Sequence, residues 1–182
     1  MPTVEPPYPF DRKPRRKAEF IRPPNTLKQK VGSGGLSEEI LNRAQALLEN
    51  NTVDFRPLGE MYLDSLMRAI HQALTADSDR DNPEQIISAM LYPAMQLKAN
   101  GGMFHYPLVT RVAESLISFL EAIDAPDRDA AEIVLAYHTS IRAVIMGKVT
   151  GNGGRYGDEL REALTDACAR YFTHHPDRHA GG

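Results

Sequence analysis

The sequence predicts an all-α fold, an antiparallel four-helix bundle with accessory helices at either end. Two observations predict it. Apolar residues recur at three- and four-residue spacing from residue 37 almost to the C-terminus, and no window keeps the two-residue alternation of a strand long enough to compete. The 182 residues suit one domain, and 42% hydrophobic with 25% charged residues supplies a real core. A single cysteine excludes a disulfide framework and a cysteine-based zinc site, and agrees with a reducing compartment. No apolar run approaches the roughly 20 residues of a membrane span. The N-terminus has no basic-then-apolar signal pattern, so the expectation is a cytoplasmic protein with no membrane contact.

Four segments follow in order. Residues 1–36 carry seven prolines, eight basic and three acidic residues, a charge of +5 against −8 for the remainder. Such a segment is expected to be an extended arm, with Phe20, Ile21 and Leu27 available to pin it to the body. Residues 37–148 hold five helices. Ser37 caps the first, with Glu38 and Glu39 in its opening turn and Ile40, Leu41, Ala44, Leu47 and Leu48 as its apolar face. The second runs from about Asp54 to Thr75 on a stripe of Leu58, Tyr62, Leu66, Ile70 and Leu74. Asn82 caps the third, with Pro83 at its first position; Pro93 lies inside it and Gly101-Gly102 ends it. The fourth starts at Pro107 and buries Leu108, Val112, Leu116, Leu120 and Ile123. The fifth starts near Arg128 and ends before Gly151-Asn152-Gly153-Gly154. Residues 149–174 form an accessory sixth helix, from about Tyr156 to Phe172, with Tyr156, Leu160, Leu164, Cys168 and Tyr171 on one face. Residues 175–182 form a polar tail. The second to fifth helices have similar lengths and short links, which favours a four-helix bundle capped by the first and sixth.

The most informative stretch runs from Met95 to Val112: Met95-Gln96-Leu97-Lys98-Ala99-Asn100-Gly101-Gly102-Met103-Phe104-His105-Tyr106-Pro107-Leu108, then Val109 to Val112. Here the chain resembles the histidine phosphotransfer (Hpt) domains of bacterial phosphorelays, over roughly residues 37–148. That family carries His-x-[Leu/Ile]-Lys-Gly on a helix of its bundle. A glycine-rich turn leads to a helix that in alphaproteobacterial members often opens Phe-Gly-Tyr-Pro-Leu. Leu97 and Lys98 match the pair after the histidine. Gly101, Gly102, Phe104, Tyr106, Pro107 and Leu108 match the turn and helix start. Met95 stands where the phosphoaccepting histidine would be, and Ala99 replaces the glycine.

Phosphoryl transfer needs an exposed imidazole nitrogen and a nearby cation. Lys98 supplies a cation, but a thioether forms no stable phosphoryl adduct. Taken singly, Met95, Leu97 and Met103 read as core residues. Taken as a stretch, the resemblance implies a non-catalytic docking face, with Met95, Gln96, Lys98, Ala99, Asn100, Gly102 and Phe104 binding a response-regulator receiver domain or a histidine kinase. No catalytic residue, metal or cofactor is assigned. Two other readings remain. One is active phosphotransfer through His105, at the position where the family often has glycine, or through His138. His138-Thr139-Ser140-Ile141-Arg142 carries one residue too many for the phosphoacceptor pattern, a rotation of about 100° on the helix. The other is a helical adaptor whose basic arm binds nucleic acid or an acidic partner. His174, His175 and His179 lack the rigid frame of a metal site.

Overall fold

The computed structural model describes residues 35–76 and 81–176. The extended arm expected at residues 1–36 lies almost entirely outside these, as does most of the polar tail expected at 175–182, including His179. The described residues form six α-helices and no strand: α1 (Glu38–Glu49), α2 (Arg56–Thr75), α3 (Pro83–Gly101), α4 (Pro107–Ala122), α5 (Arg128–Met146) and α6 (Gly154–His174). No helix among them is long and apolar enough to cross a membrane.

The caps read from the sequence at Ser37 and Asn82 are in place, and Asp127 adds a third ahead of α5. Ser37 Oγ accepts from the Ile40 amide at 3.4 Å, Asn82 Oδ1 accepts from the Glu84 amide at 2.9 Å, and Asp127 Oδ1 accepts from the Ala130 amide at 2.7 Å. Asp54 does similar work ahead of α2. Its Oδ1 accepts from the Arg56 amide at 3.0 Å, and the Arg56 guanidinium holds its carboxyl down at about 2. Pro93 lies within α3, which continues through it to Gly101.

Helices α2, α3, α4 and α5 close a ring of contacts, α2 on α3, α3 on α4, α4 on α5 and α5 back on α2, while α6 lies on α4 and α5. The pattern explains why α4 is apolar on more than one side. It meets three helices and buries Leu108, Val109, Val112, Ala113, Leu116, Phe119 and Leu120. Against these pack Leu63, Leu66 and Ile70 of α2, Met90, Ala94 and Leu97 of α3, and Val134, Tyr137, Ile141 and Ile145 of α5. Each fully buried large side chain contributes about 1.5–3 kcal/mol of transfer free energy.

Helix α6 is held mainly at its C-terminal half. Phe119 meets Tyr171 and Phe172 edge-on, with centroids 5.4 and 5.7 Å apart. The Tyr171 hydroxyl donates to Asp127 Oδ2 at 3.1 Å, so one carboxylate caps α5 and ties down α6. Deeper in, the Tyr137 hydroxyl lies 2.8 Å from Ser115 Oγ and 3.3 Å from Cys168 Sγ, joining α4, α5 and α6 through a buried polar contact. Burial pushes the Cys168 thiol up to about 11.

Three expectations are corrected. The first helix was expected to cap the bundle. Instead α1 buries no side chain and touches none of the other five helices, leaving Ile40, Leu41, Leu47 and Leu48 exposed. Leu74, placed on the stripe of α2, is exposed, because the buried line runs through Leu63, Leu66, Ile70 and Ala73 and leaves Leu74 to one side. Tyr156, placed on the apolar face of α6, is 84% exposed, whereas Gly157 beside it is the residue of that turn that faces inward.

His138 is the buried polar residue of the core, 4% exposed, with Nδ1 lacking a hydrogen-bond partner. Burial lowers its pKa, and Arg142 acts in the same direction against the Leu63 backbone and Asp64 of α2. The folded chain therefore holds the ring neutral at a pH where the unfolded chain, near its ordinary value of about 6.5, already binds a proton. Stability is full above that value and falls as the pH drops through it. The urea midpoint should decline between pH 7 and 5, and His138→Leu should flatten that decline by up to one proton's worth, about 1.4 kcal/mol per pH unit. Cys168 should resist a thiol-specific disulfide reagent at pH 8 in the native protein and react once in denaturant.

Candidate functional site

Residues 92–105 form the outer flank of α3 and its exit. Exposed positions recur at Tyr92, Met95, Ala99 and Gly102, three or four apart, along one line of the helix. Buried positions at Met90, Pro93, Ala94, Leu97 and Gly101 form the opposite line. Met95 is 55% exposed, whereas Leu97 is fully buried. Of the three residues that singly suited a core, only Leu97 is one; Met103 also stands exposed.

Lys98, one turn beyond Met95, is half-exposed, and its Nζ donates to Glu114 Oε1 of α4 at 2.9 Å. Both partners are open to water, so the pair contributes about 0–1 kcal/mol and breaks readily. It positions the ammonium beside α4 and brings a carboxylate into the flank. Gln96 and Asn100 are half-buried, with Asn100 Nδ2 donating to the Gln96 carbonyl at 2.8 Å. Phe104 turns inward and stacks on Phe55, with centroids 4.9 Å apart and an interplanar angle of 17°. Of the seven sequence-predicted site residues, Met95, Ala99 and Gly102 are exposed, and Gln96, Lys98, Asn100 and Phe104 are half-buried. Tyr92 and Met103 were missed, although the spacing of Tyr92 to Met95 and Ala99 carried the signal for Tyr92.

The exit from α3 is closed by close backbone approach. The Tyr106 amide donates to the Gly101 carbonyl at 2.7 Å, and Thr110 Oγ1 donates to the Lys98 carbonyl at 3.1 Å. A Cβ at Gly101 would lie 2.7 Å from Thr110 Oγ1 and 2.9 Å from the Thr110 amide nitrogen, so only glycine fits. At Gly102 the nearest such atom is 3.8 Å away.

His105 adopts φ 66°, a left-handed conformation that favours glycine. Its Nε2 lies 3.0 Å from the Asn51 carbonyl oxygen, and Asn51 Nδ2 donates to the Met103 carbonyl at 3.0 Å. The Gly151 amide donates to the His105 carbonyl at 3.0 Å. The turn thus gathers the segments preceding α2 and α6. The His105 ring nitrogen is engaged in holding the α1–α2 link, and the His138 ring is buried. Among the other described histidines, His71 and His174 are exposed, and His175 Nε2 lies 3.0 Å from Asp129 Oδ2. No group of three or more metal-ligating side chains converges among the described residues.

Gly101→Ala should lower the urea-unfolding free energy by about 1–3 kcal/mol, because the methyl meets backbone that cannot yield. Gly102→Ala, with open space and ordinary helical φ, should be neutral or slightly stabilising.

Comparison of the chain with protein-family models, with curated proteins and with solved structures finds no match.

Proposed function

We propose that the protein is a non-catalytic, Hpt-like module of two-component signal transduction that binds a receiver domain through the outer flank of α3. The observation that carries this is the outward placement of Met95 one helical turn from a half-exposed Lys98, on a helix whose other side is core. In the resemblance, those two positions belong to the phosphoacceptor and its attendant lysine. The positive φ at His105 adds support, since the resembling sequences often have glycine there. The ring of contacts among α2, α3, α4 and α5 is compatible with the bundle that the resemblance implies.

The chemistry of the flank favours binding over transfer. A receiver's aspartyl phosphate is attacked by an imidazole nitrogen; the sulfur of Met95 has no equivalent reaction. Tyr92, Met95 and Ala99 instead offer an adaptable apolar strip, with Lys98 and Glu114 as a polar edge. Methionine suits such a face because its unbranched, polarisable side chain adapts to the partner's contour. Lys98 in turn would meet the acidic pocket of a receiver once its pair with Glu114 opens. Of the described histidines, His138 is too buried to meet a partner protein, and His105 Nε2 would have to release the Asn51 carbonyl to act.

NMR titration of the labelled chain with receiver domains from the source organism should shift the resonances of Met95, Gln96, Lys98, Ala99, Asn100 and Gly102. Met95→Glu should weaken that binding by about tenfold or more while leaving the helical spectrum unchanged. Shifts confined to α6, or none with any receiver, would rule the assignment out.

A further inference from the structure

A second surface lies on a different part of the molecule, and its interpretation is independent of the docking role of α3. Toward its N-terminal half, α6 and the outer side of α5 border an open groove of about 680 Å³. Leu108, Leu135, Ala143, Val149, Tyr156 and Leu160 line it, and the lining along α5 runs from Glu132 to Val144. Small residues at Ala136, Ser140, Ala143 and Gly157 keep the walls shallow, so the groove has the form of a seat for a helix rather than a closed ligand cavity. The same chain carries a helix without a seat. The apolar face of α1, Ile40, Leu41, Ala44, Leu47 and Leu48, covers nothing among the described residues. Twelve residues in isolation make a marginal helix in water, so that face gains from being covered.

We infer that α1 of one copy seats in the α5–α6 groove of a second copy, in a reciprocal exchange that makes the protein a two-fold dimer. Three features specify this occupant. The first is length: α1 spans about 18 Å, and the groove from Glu132 to Val144 spans about the same. The second is charge. α1 is acidic at its start, with Glu38 and Glu39, while exposed Lys148 and Arg155 stand where α5 ends and α6 begins; Glu132 marks the opposite end. Seating α1 antiparallel to α5 sets its two leading carboxylates, Glu38 and Glu39, beside Lys148 and Arg155, the latter paired with Glu159, and its single trailing carboxylate, Glu49, toward Glu132; the reverse seating would set both leading carboxylates against Glu132. The third is placement. Asn51, two residues past α1, is joined through His105 to Gly151 beside the groove, so α1 leaves each copy close to its own seat. Two copies meeting at this end can exchange helices across short distances. One such seat is too small for a stable interface. Two seats, each about 18 by 10 Å and counted on both surfaces, bury roughly 700 Å², the size of a weak dimer that forms as concentration rises.

The test is the solution mass of the full chain by light scattering or sedimentation over a concentration series. The wild type should approach twice the 20.2 kDa chain mass as concentration rises. Leu47→Glu in α1 and Ala136→Glu in the groove both alter exposed positions, so each variant should keep its helical spectrum. Each should weaken the dimer by about tenfold or more. A wild type that stays monomeric throughout would overturn the inference. So would a dimer that survives Ala136→Glu, which would indicate pairing of α1 with α1.

Discussion

The approach of Gly101 to Thr110 is the constraint on which the candidate site depends. The α3–α4 contact is set at this point by backbone atoms, with the Tyr106 amide on the Gly101 carbonyl and the Thr110 hydroxyl on the Lys98 carbonyl. Backbone hydrogen bonds at a site with no space for a Cβ fix the rotation of a helix about its axis more firmly than side-chain packing, which tolerates alternative rotamers. With that rotation fixed, Leu97 and Ala94 point inward and Tyr92, Met95 and Ala99 point outward. The same turn holds Asn51 through His105 and meets Gly151, so the departure of α1 and the approach to α6 follow from it.

Much of this was legible in the sequence. Helix starts were marked by residues whose chemistry is local: Ser37 and Asn82 as caps, and Pro83 and Pro107 at positions that tolerate a missing amide. The termination of α3 at Gly101 was equally local. What could not be read was whether an apolar face is covered. Periodicity reports that Ile40, Leu41, Leu47 and Leu48 share a side of α1, but covering them requires a partner whose position is a long-range fact. Tyr156 and Leu74 failed for a related reason, since at each helix end the neighbouring residue, Gly157 or Ala73, is the one that faces inward. The burial of His138 was marked by position, with Val134, Ile141 and Ile145 four before, three after and seven after it on one face, but the polar ring argued against it. Met95 is the converse case. Periodicity alone suited it to the core, and the pattern shared with its neighbours singled it out.

The two candidate surfaces differ in kind. The α3 flank combines a thioether and a tyrosine ring with a lysine–glutamate pair, the mixed composition of a surface that engages and releases a partner. The groove beside α6 is mostly apolar and long, suited to permanent cover. They lie on different helices, so occupation of one leaves the other free. In the proposed role, a dimer would present two docking flanks, and avidity could compensate for a modest affinity at each.

The absence of a nucleophile on an otherwise suitable flank is most directly tested by restoring one. A receiver domain phosphorylated on its aspartate is mixed with the wild type and with Met95→His, and acid-labile, alkali-stable phosphoprotein is measured. In the variant, the aspartyl P–O bond breaks, a P–N bond forms at the imidazole, and the aspartate carboxylate leaves. The proposed function predicts label on Met95→His and none on the wild type. Label on the wild type, or none on a Met95→His variant that still binds the receiver, would contradict it.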